Sequence, residues 1–473
     1  MSSVPWTPGR GRGRGGFAPR RGRGGSSPAF VKRELIKPDI EKYPLGSLIE
    51  LLHVSSLEAK SDDTTPGISH CQYVASYNWL NENTPTIIVP GKPPRWTPLA
   101  TPRRLSEDSG QYYRDPNAAM FDLPLTPAVK AVLDIDSPDQ RSEIDVFACG
   151  STLGNLLRLV RGLDKPFRFD IELIGNTVFF IRKENDPKEL IKDVRGFGHT
   201  FPEAYTTWEK ETKGSETHQR IVQYKLGNLE CMVRFECDGY IQDTSTLDKS
   251  EGSRPNGHPN DVDLLDAFQK TAITPSFHST LSMKPDMDLP TIKQAGSYVS
   301  QSSIFDLKTR SGRYNKEINM YDIYPQLWIK QVPNFIVAYH DGAGLFQDIR
   351  VQDVRKDVQD WETENIDAIR RLTVLLNRII EIAKRDKGGL LEAYCAGTDR
   401  LEIRVQHGGG THALPAMLRS AWVGENESHV DDSGIDLGYK EDSDFEDDSS
   451  DEEEKDFTAC SAEDCGYCGR CTY

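Results

Sequence analysis

Apolar and polar residues alternate along the middle of the chain, in runs bounded by turn residues. Met232-Val-Arg-Phe-Glu-Cys-Asp-Gly-Tyr240 and Ile304-Phe-Asp-Leu-Lys-Thr309 alternate with a period of two and predict strands. Phe169 to Ile181 is interrupted by Gly175-Asn176, and a second pair of runs by Gly227-Asn228, as tight hairpins are. Near the far end the period changes. Ile366, Ile369, Leu372, Leu376, Ile379, Ile380 and Ala383 fall at helical spacing, and Gly388-Gly389 stops the helix. That stripe is a packing face. Leu401-Glu-Ile-Arg-Val-Gln406 reads as a late strand. The pattern predicts an α/β domain over residues 111–423, a central mixed β-sheet flanked by helices. Residues 30–110 mix short apolar runs with Pro-rich turns, such as Ile87-Ile-Val-Pro-Gly-Lys-Pro-Pro-Arg-Trp96, and predict an extended arm wrapping the domain.

Composition changes the picture at both ends. Residues 1–29 are rich in Arg and Gly, with Arg10, Arg12, Arg14 and Arg23 between glycines, Arg20 and Arg21 adjacent to each other, and no acid nearby. Such a segment cannot bury a core and should be disordered, and its guanidinium groups suit RNA phosphates and exposed bases. A flexible solubilising tail is the plainer alternative. Residues 424–456 carry sixteen acids against two lysines and predict an acidic disordered tail. The net charge of −16 therefore conceals a basic start, and it does not argue against a nucleic-acid partner. No run of apolar residues is long enough to span a membrane.

Nine cysteines are an odd number. Five of them (Cys71, Cys149, Cys231, Cys237 and Cys395) are scattered, which fits a reducing compartment better than a disulfide framework. The other four, Cys460, Cys465, Cys468 and Cys471, fall within residues 457–473. Four thiols so close suggest a soft-metal site for Zn²⁺, with free or redox-active thiols as the alternative.

The strands carry the chemistry. On a strand, residues i and i+2 share a face, so Glu236 and Asp238 are expected to converge, as are Asp306 and Lys308. Three carboxylates make a hard oxygen cage suited to Mg²⁺ or Mn²⁺. A lysine beside it can orient or deprotonate the water that attacks a phosphate. The layout resembles the PD-(D/E)XK nuclease core. The bland reading of each pair is the wet face of a strand, since Glu-x-Asp and Asp-x-Lys are short patterns.

The flanking sequence weighs against the bland reading. Asp306-Leu-Lys-Thr309 is followed by Tyr321-Asp-Ile-Tyr-Pro-Gln-Leu-Trp-Ile-Lys-Gln-Val-Pro-Asn-Phe-Ile-Val-Ala-Tyr-His-Asp-Gly342. Upstream stand Phe147-Ala-Cys-Gly-Ser-Thr-Leu-Gly-Asn-Leu-Leu157 and Gly198-His-Thr-Phe-Pro-Glu203. In this order, from about Gln111 to Phe346, the chain resembles the DXO/Rai family of RNA 5′-end decapping exoribonucleases, as a divergent member. The resemblance implies a metal-dependent hydrolase of RNA 5′ ends, in the nucleus with the cytoplasm also open, and a 5′-3′ exoribonuclease as a partner. It implies metal ligands at Glu203, Glu236, Asp238, Asp306 and the Leu307 carbonyl. It gives Lys308 and Gln326 the catalytic positions. Arg310, Arg313 and Lys316 follow the metal strand and are candidates for phosphate contact, with solvated surface the default for each. Two departures stand out. The family's arginine before its Leu-x-x-Leu-Leu helix is replaced by Cys149-Gly150-Ser151, with Arg158 and Arg161 the nearest arginines downstream. A polar insertion at 241–303 separates the Glu-x-Asp and Asp-x-Lys strands. The altered motif keeps open a catalytically inactive relative that serves as an RNA-binding or nuclease-partner scaffold.

Overall fold

The computed structural model describes residues 37–424, except 58–66, 81, 83, 110–121, 136–142, 164, 187, 189, 191–195, 243–288, 313–316, 387 and 398. In chain order the strands are β1 (Leu48–His53), β2 (Ile68–Leu80), β3 (Thr86–Gly91), β4 (Arg95–Trp96), β5 (Val146–Cys149), β6 (Phe167–Ile174), β7 (Thr177–Arg182), β8 (Thr206–Thr207) and β9 (Ser215–Leu226). They continue as β10 (Leu229–Glu236), β11 (Gly239–Tyr240), β12 (Thr291–Gly296), β13 (Ile304–Ser311), β14 (Asn334–His340), β15 (Phe346–Asp353), β16 (Leu391–Cys395) and β17 (Arg400–Val405). The helices are α1 (Thr126–Ile135), α2 (Gly150–Val160), α3 (Thr200–Tyr205), α4 (Met320–Lys330), α5 (Arg355–Glu364), α6 (Ile366–Arg385) and α7 (Ala416–Val423).

Among the described residues the strands form two sheets. The larger runs β1-β17-β16-β6-β7-β5-β10-β9-β2-β3-β12 and the smaller β15-β14-β13-β11-β4-β8. Both are mixed: β5 lies parallel to β7 and β10, and β13 parallel to β14, while β6–β7, β9–β10 and β14–β15 are antiparallel. The larger sheet is covered on both faces, and the period of two sorts its residues. Cys231, Val233 and Phe235 of β10 pack with the apolar stripes of α2, α4 and α6, whereas Met232 packs on the other face with α1 and α7. A third cluster, Phe201, Tyr205, Phe305, Leu307, Ile336 and Phe346, closes the smaller sheet beneath α3.

Both expected hairpins form, with Gly175 at φ +62° and Gly227 at φ +59° in the turns, where a side chain would be strained. The helical stripe becomes α6, which runs to Arg385 and ends on the Lys384-Arg385 pair that suits a helix C-terminus.

The described strands of residues 30–110 belong to the sheets and do not form a separate arm. Strands β1, β2 and β3 lie within the larger sheet, and β4 lies within the smaller. Of the Pro-rich stretch that suggested an arm, Pro90 lies within β3, and Pro93 and Pro94 lie in its connection to β4. The insertion also contributes structure at its end, since β12 pairs parallel to β3 at the edge of the larger sheet.

A buried charge cluster fastens the start of the described chain to this sheet. Arg168 of β6 donates from Nε to Glu392 Oε2 of β16 at 2.8 Å, and from a terminal nitrogen to the Tyr43 carbonyl at 2.7 Å. The Gly46 N–H donates to Glu392 Oε1 at 3.2 Å. Beside them Lys183 Nζ lies 2.9 Å from Asp170 Oδ1. Burial pushes the Asp170 carboxyl up to about 6 from its ordinary 3.8, with Lys183 pulling the other way. A carboxyl raised on folding contributes stability that is full below its unfolded value and is lost as pH rises through the folded one. Stability relative to Asp170→Asn should therefore fall by roughly 3 kcal/mol between about pH 4 and pH 7. Urea unfolding of both proteins across that range checks it, and wild-type stability that stays constant or rises relative to Asp170→Asn as pH rises would contradict it.

Candidate active site at the seam of the two sheets

The strand expected to run from Met232 to Tyr240 is two strands. β10 ends at Glu236, opposite Gln219 of β9 in the larger sheet. β11 begins at Gly239, opposite Phe305 of β13 in the smaller sheet. Cys237 and Asp238 carry the chain across, so Glu236 and Asp238 do not share the face of one strand. Gly239 makes the crossing possible. A Cβ there would stand 2.4 Å from the Phe305 ring and 2.7 Å from the Pro94 carbonyl oxygen.

This crossing sets Asp238 against β13. Its Oδ2 accepts a hydrogen bond from the Leu307 N–H at 2.7 Å. The side chains of β13 alternate, with Phe305 and Leu307 turning into the cluster beneath α3 and Ile304 into the core beneath α4. Asp306 and Lys308 share the face of Ile304. Asp306 is 4 % exposed and is gripped by two lysines. Lys330 Nζ stands 2.6 Å from its Oδ2, and Lys308 Nζ stands 3.6 Å from its Oδ1. Burial, and then the charge of Asp306, push Asp238 up to about 6, while Lys308, Lys330 and the Leu307 N–H oppose the rise. Two carboxylates and two ammonium groups thus form a compact and nearly neutral set at the seam.

The other expected site residues lie on α3, β10, α4 and β13. Glu203 is exposed on α3, whose first turn is capped from a distance: Asp108 accepts from the backbone N–H groups of His199 and Thr200 at 3.0 and 2.9 Å. Glu236 is half-buried at the end of β10. Gln326 is half-buried on α4, and its amide donates to the Asp322 carbonyl one turn back at 3.4 Å. Arg310 is half-buried on β13. Among the described residues no three His, Cys, Asp or Glu side chains stand close enough together to hold a metal ion. Of the expected carboxylates, Asp238 and Asp306 are the two seen against β13. Arg10, Arg12, Arg14, Arg20, Arg21, Arg23, Arg313 and Lys316, and Cys460, Cys465, Cys468 and Cys471, lie outside the described residues.

Two residues at the seam were missed in the sequence. Lys330 is one. The other is Arg234 of β10, 4 % exposed, which pairs in register with Cys149 of β5 and donates to its Sγ at 2.9 Å. It thus stands beside Cys149, where the resemblance leads one to expect an arginine. Arg158 and Arg161 do other things: Arg158 donates to Asn155, and the Arg161 guanidinium lies 5.6 Å from the centre of the Trp361 ring. Both misses carried a signal. Arg234 is two residues before Glu236 on one strand, and Lys330 is four residues after Gln326 on one helix, so each shares a face with a residue already singled out.

The pair fits a hard divalent ion of the Mg²⁺ or Mn²⁺ class. Such ions take oxygen donors, and Mg²⁺ is commonly held by one or two carboxylates with waters and substrate phosphates filling the rest. Asp238 and Asp306 supply all-oxygen donors on adjoining segments, and burial pushes the neighbouring Cys237 thiol up to about 12, so it offers no thiolate.

The chain belongs to a protein family: the model of the family described as a domain of unknown function (DUF8563) matches residues 49–408. The match takes in β1 to β17 and leaves out α7. No curated protein matches. Similar solved structures include Scheffersomyces stipitis Rai1 in complex with (3′-NADP)⁺ and calcium ion, at 11 % identity and a TM-score of 0.49, covering 80 % of this chain and 99 % of that one. Candida albicans Rai1 in complex with pU5-Mn²⁺ follows at 8 % identity and 0.47, covering 81 % and 100 %. S. pombe Rai1 in complex with 3′-FADP stands at 11 % and 0.46, covering 75 % and 99 %. Identity this low and superposition this loose give no ground for transferring an activity.

Proposed function

We propose that the chain is a divalent-metal-dependent hydrolase of RNA 5′ ends. The observation that carries the reading is the Asp238–Asp306 pair with Lys308 on the same face of β13 as Asp306, at a seam between two sheets. The order of the surrounding sequence segments, which resemble the DXO/Rai decapping enzymes from about Gln111 to Phe346, supplies the substrate class.

Asp238, Asp306 and the main-chain carbonyl of Leu307 would hold the ion. Bound there, it supplies Lewis-acid chemistry to a phosphate ester. The rest falls to the chain. Lys308, with 16 % of its side chain exposed, is the ammonium group of the pair that solvent reaches more easily, against 6 % for Lys330. It is placed to orient the attacking water and to stabilise charge on the phosphate. The burial of Asp306 and Lys330 keeps the site dry, so each charge acts in a medium that screens it weakly. The Arg-Gly segment would add sequence-independent RNA affinity, with Zn²⁺ at the terminal cysteines and an exoribonuclease partner as further parts of the proposal.

Lys308→Gln tests the assignment. It keeps reach and removes the charge, so turnover on a 5′-triphosphate RNA should fall about 10²–10⁴-fold, as for loss of an acid–base group. Mn²⁺ binding, followed by calorimetry, should persist. Unchanged turnover would remove Lys308 from the site, and lost Mn²⁺ binding would make it a structural residue.

A further inference from the structure

Lys330 lies where the periodicity of α4 calls for an apolar residue. Ile323, Leu327 and Lys330 fall at i, i+4 and i+7 and face the core, and all three are buried, Lys330 at 5 % exposure. A lysine there is costly unless its charge is met. It is met by Asp306, at 2.6 Å.

The backbone beneath this lysine is fixed. α4 ends at Lys330, with Gln331 in the left-handed region at φ 52°. The Gln301 side-chain amide donates to the Lys330 and Gln331 carbonyls at 3.3 and 2.9 Å. The stem of Lys330 passes the first residue of α2, where a Cβ on Gly150 would lie 3.8 Å from Lys330 Cγ. The ammonium group can therefore leave Asp306 only by turning about its own side-chain bonds.

Resting on the metal-dependent reading above, we propose that Lys330 is an internal cation that contends with the divalent ion for Asp306, so that metal loads only when the Lys330–Asp306 pair opens. A divalent ion takes a carboxylate oxygen at about 2.0–2.1 Å. An ammonium group held on the same oxygen would then stand within roughly 4 Å of the ion, where like charges repel strongly in a weakly screened interior. Lys308 is the lesser contender, since it sits on the other oxygen and a full ångström farther away. The chain thus carries its own stand-in for the metal charge, which keeps Asp306 neutralised in the metal-free protein and weakens metal affinity.

The test is Mn²⁺ calorimetry on the full-length wild type, Lys330→Met and Lys330→Gln, with melting curves to confirm that each is folded. Lys330→Gln retains an N–H donor for Asp306, and so reports if Lys330→Met does not fold. Either folded variant should bind Mn²⁺ about tenfold or more tightly than wild type, as removal of a neighbouring buried cation implies. In an Asp306→Asn background the same change should bring much less, because the shared partner is gone. Equal or weaker Mn²⁺ binding by the folded variants, with wild type still binding, overturns the inference and leaves the metal-dependent reading intact. Absence of Mn²⁺ binding from wild type and variants alike overturns both.

Discussion

Replacing Asp306 by Asn is expected to lower hydrolysis of a 5′-triphosphate RNA by about 10³-fold or more, beyond the 10–100-fold typical when only a residue supporting a metal ligand is lost. Asp306 is the centre of the seam: it holds Lys330 at 2.6 Å and Lys308 at 3.6 Å, and its charge is the second-largest influence on Asp238. Asn keeps the shape and still accepts a hydrogen bond, so the fold should survive. It removes the charge that a divalent ion needs, and leaves two cations facing a single carboxylate. The melting temperature should fall by a few degrees, which a scan checks, while single-turnover hydrolysis reports the chemical loss. Near-normal turnover in a folded Asp306→Asn protein would place the chemistry elsewhere.

The largest expected effect on stability is at Glu392, far from the seam. Its side chain is fully buried and satisfies Arg168, itself 5 % exposed, and the Gly46 N–H. Arg168 in turn holds the Tyr43 and Pro44 carbonyls. Glu392→Ala would leave a buried guanidinium without its carboxylate, which costs about 3–5 kcal/mol. It would also loosen residues 43–46, which join this cluster to β1. Urea unfolding measures the loss. The double variant Arg168→Met with Glu392→Leu should recover much of it, since an apolar pair of similar volume is often as stable as a buried ion pair. If Glu392→Ala proves as stable as wild type, the cluster does not hold the segment as described.

How much of this was legible in the sequence depended on whether local signals agreed with the tertiary ones. The two Gly-Asn turns needed only backbone freedom and alternation, and both hairpins formed. α6 was legible because its apolar stripe is long and regular. β1 to β4 were not, because prolines and short apolar runs read as an arm when, the β2–β3 pair aside, the partner strands lie more than a hundred residues away. The break at Cys237-Asp238 was hidden for a different reason. Alternation continues smoothly from Met232 to Tyr240, and only the close approach of Gly239 to Phe305 reveals that the chain changes sheets.

The candidate site was legible in its parts and not in its closure. Asp238, Asp306 and Lys308 were named from strand patterns, and they stand together at the seam. Glu203 and Gln326 were named by resemblance, and Glu236 from the same strand pattern as Asp238, which the break after β10 interrupts. Lys330 escaped notice because a lysine is ordinarily solvent-exposed, and a core-facing position could be recognised only once α4 had been placed against β13. Arg234 escaped for the same reason on β10. In both cases the buried charge makes sense only with its partner, and that partner comes from another element.

The central claim is that the seam hydrolyses RNA 5′ ends with the help of a divalent ion. The most direct measurement incubates the full-length protein with 5′-triphosphate, NAD-capped and unmethylated-cap RNAs, in Mg²⁺, in Mn²⁺ and in a chelator, and follows release of the 5′ group. The expected result is release from at least one of these RNAs that requires the metal and is lost in both Asp238→Asn and Asp306→Asn. No release from any of them, or release that survives both substitutions, would contradict the account.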